Sequence, residues 1–249
     1  MALEDLLSPA ERNLLERGRF GRRMGFGRRP AVVCIDCQVY MVGDRDEPQE
    51  LSTRRFPSSC GPVGWRALQH TARLLQAARA RSVPVFYTAF TLAADGRDAG
   101  VYALKRDLLQ SPGWALEGSP GAQISPLVAP APGDVVLVKH KPSAFFATPL
   151  LSHLVQRGVD TLLITGGSTS NCVRATVFDA ASYNLRGMVI EECVFDRIEL
   201  SHRVSLMDMD RQFADVIALE EALAYLNGLP APAAPAPAAP RALPAEGQA

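Results

Sequence analysis

TLLITGGSTSNCVRATVFDA, residues 161–180, decides the fold. Its first five residues are β-branched or apolar on both faces and stop at two glycines, the reading of a short buried strand. Its last eight follow a helical spacing, with Cys172 at the helix start. The unit is therefore strand, tight turn, helix. Working outward, runs of the same kind stand at 31–35, 83–88, 135–139, 188–190 and 216–219. Helical spacing occupies about 64–81 (Leu68, Ala72, Leu75, Ala78), 150–157, 173–184, 202–213 and 220–226. Alternation of this kind predicts an α/β protein, a three-layer α-β-α sandwich on a mostly parallel, Rossmann-like sheet of about six strands with right-handed crossovers. In such sheets ligands lie beyond the carboxyl ends of the strands.

The chain has 249 residues, 26 basic and 26 acidic, and is 47% hydrophobic, enough for one large core with tails. With no net positive charge and only a local Arg-rich stretch, Arg17 to Arg29, it is not predicted to bind nucleic acid. No apolar run reaches the roughly 18 to 20 residues of a membrane span, and the acidic first residues lack the layout of a signal peptide, so the expectation is a cytoplasmic protein without a membrane partner. Five cysteines in a reducing compartment are expected to be free thiols. Ser8, Pro9 and Glu11 form a helix-start pattern within a helix expected over 2–17 that Gly18 ends. The predicted organisation is an N-terminal helix and Gly/Arg-rich connector over 1–28, the domain over 29–228, and a disordered Pro/Ala-rich tail over 229–249.

Three strands deliver chemistry at their carboxyl ends: Asp36 after AVVCI, Lys139 after VVLV, and Cys172 beyond the glycine turn. A cysteine at a helix start has its thiolate favoured by unpaired amides and by a neighbouring lysine, and a carboxylate within reach can take the thiol proton and return it to a leaving group. Each residue also has a plainer role, as a small buried residue, a turn former or a solvated lysine. Their convergence on one sheet edge, with a glycine turn able to aim amides at an oxyanion, points to a nucleophilic hydrolase. Cys34 and Cys37 form a C-x-x-C, but inside a strand and around Asp36, which speaks against a redox pair. The four histidines at 70, 140, 153 and 202 are too dispersed for zinc, and Gly166-Gly167 fits neither nucleotide-binding loop.

RPAVVCIDCQ (29–38), SSCGPVGW (58–65), VKHKPSAFFATPL (138–150), TGGSTSNCVRATVFDA (165–180) and CVFDR (193–197) leading into SHRVSLMDMDRQFADV (201–216) resemble the isochorismatase-like cysteine hydrolases, in the branch of the N-carbamoylsarcosine and maleamate amidohydrolases. The resemblance implies a catalytic triad of Asp36, Lys139 and Cys172, with Lys141 the local rival of Lys139. It also implies a cis peptide between Gly167 and Ser168, and an oxyanion hole made by the amides of Ser168 and Cys172. The expected reaction is cofactor-free and metal-free hydrolysis of a linear amide or carbamoyl C–N bond in a small anionic metabolite, through a thioester and with release of ammonia. The expected assembly is a homodimer or homotetramer, with Arg17 to Arg29 and SSCGPVGW as interface or lid pieces. Arg197 resembles the arginine that grips a substrate carboxylate, or else pairs with Asp196, Asp36 or a helix end. Phe145 and Trp65 are candidate pocket walls. Asn171, Phe195 and Arg203 depart from the family pattern and bear on substrate choice, Asn171 as a substrate-binding residue. The alternative is a catalytically silent binding or assembly module of the same fold.

Overall fold

The computed structural model describes residues 7–107, 110 and 113–230. The first helix, α1 (Pro9–Gly18), begins at a full capping box: the Ser8 hydroxyl accepts the Glu11 N–H, and the Glu11 carboxylate accepts the Ser8 N–H at 2.7 Å. The expected start at residue 2 is corrected here. Ser8 has extended backbone angles, as a capping residue must, so Leu7 and Ser8 precede the helix. Residues 1–6 and 231–249, with most of the expected tail, lie outside the described residues.

Six strands follow: β1 (Pro30–Ile35), β2 (Val85–Phe90), β3 (Val135–Lys139), β4 (Thr161–Gly167), β5 (Arg186–Phe195) and β6 (Asp215–Ile217). Every pairing is parallel, and the spatial order is β3-β2-β1-β4-β5-β6. The main helices are α4 (Pro62–Ala80), α6 (Leu150–Gln156), α7 (Arg174–Ser182), α8 (Glu199–Gln212) and α9 (Leu219–Gly228). Short helices α2 (Val39–Val42), α3 (Gln49–Arg55) and α5 (Tyr102–Lys105) lie in the connections after β1 and β2.

The sheet separates two cores because successive residues of a strand face opposite ways. On β1, Val32 and Cys34 join Leu68, Leu75 and Leu226 of α4 and α9. Ala31, Val33 and Ile35 join Leu150, Val177 and Leu206 of α6, α7 and α8. β1 is wholly buried, which is why its sequence shows no polar alternation. β3 is an edge strand, with Val136 and Val138 about half exposed. From β1 the chain winds first toward β3 and then, from β4, toward β6, so the order reverses between β1 and β4, where a crevice opens at the strand ends.

The Arg17 to Arg29 segment runs under the opposite end of the sheet. The N–H groups of Met24 and Gly25 bind the Asp215 carboxylate, that of Gly27 binds Thr161 Oγ1, and those of Arg28 and Arg29 bind Asp160. These partners mark the amino ends of β4 and β6. The expectation of a lid over this chain's own crevice is corrected accordingly.

Candidate active site

Ile35 is in register with Gly166, so the end of β1 lies directly beside the turn that leaves β4. That approach demands glycine. A Cβ at Gly166 would sit 2.0 Å from the Ile35 carbonyl oxygen, and its φ of +101° is strained for any other residue. A Cβ at Gly167 would meet the Phe195 ring at 2.4 Å, so Phe195 is the floor under the turn. The Gly167–Ser168 peptide is cis. Residues Thr169–Val173 form a wide turn, with the Val173 N–H bonded to the Ser168 carbonyl at 3.2 Å, and α7 starts only at Arg174. Cys172 therefore precedes the helix by two residues.

Asp36 ends β1 in a left-handed conformation, φ +48°, which aspartate tolerates. Its carboxylate is fully buried. Oδ1 accepts the Thr88 hydroxyl at 2.7 Å, and Oδ2 lies 2.8 Å from Lys139 Nζ. Lys139 reaches across β2 from β3. Its ammonium also donates to the carbonyls of Pro142 (2.9 Å) and Lys141 (3.1 Å), lies 3.4 Å from Cys172 Sγ, and stands over the Phe90 ring. Lys141 turns away and donates to the carbonyls of Asp98 and Ala99. The three strand-end residues thus meet, and the rival lysine does not join them.

The charges of this cluster decide its resting state. Burial works against the Lys139 ammonium, but the negative charge of Asp36 and the sulfur of Cys172 outweigh it, and its pKa is raised. Burial pushes the Cys172 thiol up to about 12, Lys139 pulling it down and Asp36 adding to the rise. Desolvation of an almost fully covered sulfur outweighs the help of one ammonium that is shared with a carboxylate, so the thiol proton needs an acceptor.

The wide turn is tied down from both sides. Asp196 Oδ2 accepts the Ser170 N–H (2.8 Å) and hydroxyl (2.6 Å), while its Oδ1 accepts the Arg197 N–H. His202 Nδ1 lies 2.8 Å from Thr169 Oγ1, and burial lowers its pKa. Gln38, fully buried, donates to the carbonyls of Phe90 and Ala122 and accepts the Phe90 N–H, clamping the ends of β1 and β2 to the long β2–β3 connection. Thr88, Gln38 and Asp196 were not singled out as site residues from the sequence. Thr88, a polar residue within an apolar strand, carried a local signal.

A narrow cavity, with room of about 20 Å³, opens above Cys172, lined by Ser168, Asn171, Arg197, Tyr40, Phe90, Tyr102, Arg106 and Trp114, with Met41 and Pro142. Asn171 and Arg197 are where the sequence placed them. Arg197 makes none of the ion pairs considered for it: its Nε donates to the Ser58 carbonyl at 3.1 Å and its Nη2 meets Met41 Sδ. Two expected walls are corrected. Phe145 is buried in the core of the α6–α7–α8 face against Tyr183, and Trp65, at the start of α4, packs against the core of the other face and donates to the Val42 carbonyl, so neither lines the cavity. The aromatic walls come instead from Tyr40 on α2 and from Tyr102 and Trp114 in the β2–β3 connection, which has no periodicity to announce them.

All five cysteines are free and buried. Among the described residues, no helix is long and apolar enough to cross a membrane.

The chain matches the isochorismatase domain over residues 30–221. It is 36% identical over 214 residues to maleamate amidohydrolase of Pseudomonas putida, covering 86% of this chain and 94% of that one. It is 37% identical over 218 residues to N-carbamoylsarcosine amidase of an Arthrobacter species, covering 86% and 77%. The crystal structure of a cysteine hydrolase from Pseudomonas syringae superposes with a TM-score of 0.71 at 23% identity, over 84% of this chain and 97% of that one, a likeness of fold.

Proposed function

This chain belongs to the isochorismatase family, and we propose that it is a cysteine amidohydrolase that cleaves a linear amide or carbamoyl C–N bond of a small anionic metabolite and releases ammonia. One observation carries the reading: a fully buried Asp36–Lys139 ion pair at 2.8 Å whose ammonium lies 3.4 Å from the sulfur of Cys172 at the floor of a cavity. A buried ion pair is a costly way to gain stability, so its placement against a thiol speaks for chemistry.

In the proposed reaction Asp36 accepts the thiol proton as Cys172 Sγ attacks the substrate carbonyl carbon. The amides of Ser168 and Cys172 hold the oxyanion. Asp36 returns the proton to the nitrogen as the C–N bond breaks and ammonia leaves a thioester on Cys172. A water molecule, deprotonated by Asp36, attacks that thioester, and the sulfur takes back its proton as the acid departs. Lys139, within reach of both Asp36 Oδ2 and Cys172 Sγ, stabilises the negative charge that passes between oxygen and sulfur.

Ammonia release from maleamate, N-carbamoylglycine, biuret and simple primary amides tests this, with wild type, Cys172→Ala and Cys172→Ser. Release that vanishes in both variants supports the reading. Turnover that survives in them removes Cys172 as nucleophile. Silence across the panel, with Cys172 slower toward an alkylating probe than the other cysteines, supports a silent binding module.

A further inference from the structure

The two amides assigned to the oxyanion, those of Ser168 and Cys172, are separated by Thr169, Ser170 and Asn171, so the backbone of these three residues sets how the two N–H groups point relative to each other. Backbone bonds close the turn on itself: the N–H groups of Asn171 and Val173 reach the Ser168 carbonyl, and that of Arg174 reaches the carbonyls of Thr169 and Asn171. Thr169 and Ser170 are tied to other elements by side chains.

Thr169 is fully buried, so its hydroxyl needs a partner, and it finds Nδ1 of His202, one turn into α8, at 2.8 Å. Burial lowers the pKa of His202, so the ring is neutral at pH 7 and this bond costs no buried charge. Asp196, the residue after β5, is buried, and both its oxygens are engaged: Oδ2 accepts the N–H (2.8 Å) and the hydroxyl (2.6 Å) of Ser170, and Oδ1 accepts the N–H of Arg197 at 2.8 Å. Bonds to an ionised acceptor are the stronger kind. Neither His202 nor Asp196 lines the cavity above Cys172; both line a separate and larger one, with Arg66, Glu191 and Glu199.

We propose that His202 and Asp196 are positioning residues for the oxyanion hole: they touch no reacting atom, and they keep the amides of Ser168 and Cys172 aimed by fixing Thr169 and Ser170 between them. Such donors act only when they stand about 2.7–3.1 Å from the place the oxyanion will occupy, so a turn free to shift by about 1 Å loses the alignment without losing the fold. The oxyanion forms only after attack on a carbonyl. The latch therefore bears on kcat and not on KM, nor on reactions of the sulfur that make no oxyanion. The inference rests on the amidohydrolase reading for the reaction it serves.

The test uses two replacements of His202. His202→Asn sets its amide where Nδ1 stands, whereas His202→Gln carries its amide to the place of Nε2 and leaves Thr169 without a partner. With the amide that the wild type turns over best, kcat is expected to fall about 10- to 100-fold in His202→Gln and about 10-fold in Asp196→Asn, and to return to within a few-fold of wild type in His202→Asn, with KM moving less than about threefold. Thr169→Val should match His202→Gln, and the double variant should fall no further, because both remove one bond. Labelling of Cys172 by iodoacetamide, an attack at saturated carbon, should keep its wild-type rate in all of them. Amide hydrogen exchange in the peptide spanning 167–175 should quicken in His202→Gln and Asp196→Asn. An unchanged kcat in these two variants, with amide turnover by the wild type, overturns the inference and leaves the reaction standing. Labelling that falls in step with kcat also overturns it, since the sulfur and not the oxyanion is then disturbed. If the wild type turns over no amide, the reading fails and exchange alone judges the latch: faster exchange upholds it and unchanged exchange overturns it.

Discussion

Replacing Asp36 by asparagine separates two properties of Cys172 that are usually lost together, its ionisation and its catalytic use. In the wild type burial and Asp36 push the thiol up to about 12, so at pH 7 it is held protonated. Alkylation of Cys172 by iodoacetamide then rises tenfold per pH unit from pH 6 to 9 without reaching a plateau. Asparagine keeps the volume and the bond from Thr88, which now meets an amide oxygen. It removes the carboxylate that raises the thiol and leaves Lys139, 3.4 Å away, to lower it against burial. The alkylation profile of Asp36→Asn therefore moves to lower pH, each unit of movement giving tenfold faster labelling at pH 7. Ammonia release moves the other way, falling about 10²- to 10⁴-fold with the loss of the proton acceptor. Rates of both processes, measured on the same preparations by mass spectrometry of the Cys172 peptide and by an ammonia assay, give the answer. A wild-type plateau below pH 8 means a preformed thiolate and refutes the reasoning, as does an Asp36→Asn profile that stays in place or moves upward.

Three further outcomes follow from the same geometry. Thr88→Val removes the hydroxyl held at 2.7 Å by Asp36 Oδ1, a bond to a charged acceptor; it should cost about 1.5–3 kcal/mol in urea denaturation. Gly166→Ala places a carbon 2.0 Å from the Ile35 carbonyl at φ +101°, so the variant should be insoluble or at least about 3 kcal/mol less stable, while an alanine at exposed Gly228 should leave the denaturation midpoint unmoved. Cys60, Cys172 and Cys193 hold their protons to about 12 in the fold, against an ordinary value of 9.0, so above pH 9 the unfolded chain binds fewer protons than the folded one. Stability should fall as pH rises from 9 toward 12, by roughly 1.4 kcal/mol per thiol per unit, and a melting temperature flat from pH 8 to 11 contradicts this.

The sequence by itself determined the alternation of elements, the parallel sheet and the strand ends that bear Asp36, Lys139 and Cys172. Those features are local. A buried strand is an uninterrupted apolar run such as Ala31–Ile35 and its end is a polar residue or a glycine, both visible without knowing what lies beside them. The tertiary structure decided what is set by neighbours distant in the chain. Only the register of Ile35 against Gly166 shows that the first glycine lets one backbone pass another, and only the fold shows that the second makes room for the Phe195 ring. Only the enclosure of Cys172 shows that burial outweighs Lys139 at its thiol, because desolvation depends on every atom around the sulfur and not on its place before a helix. Phe145 and Trp114 show the same division: aromatic character is written in the sequence, but which of them faces the cavity depends on how a loop between β2 and β3 with no hydrophobic period folds over the strand ends.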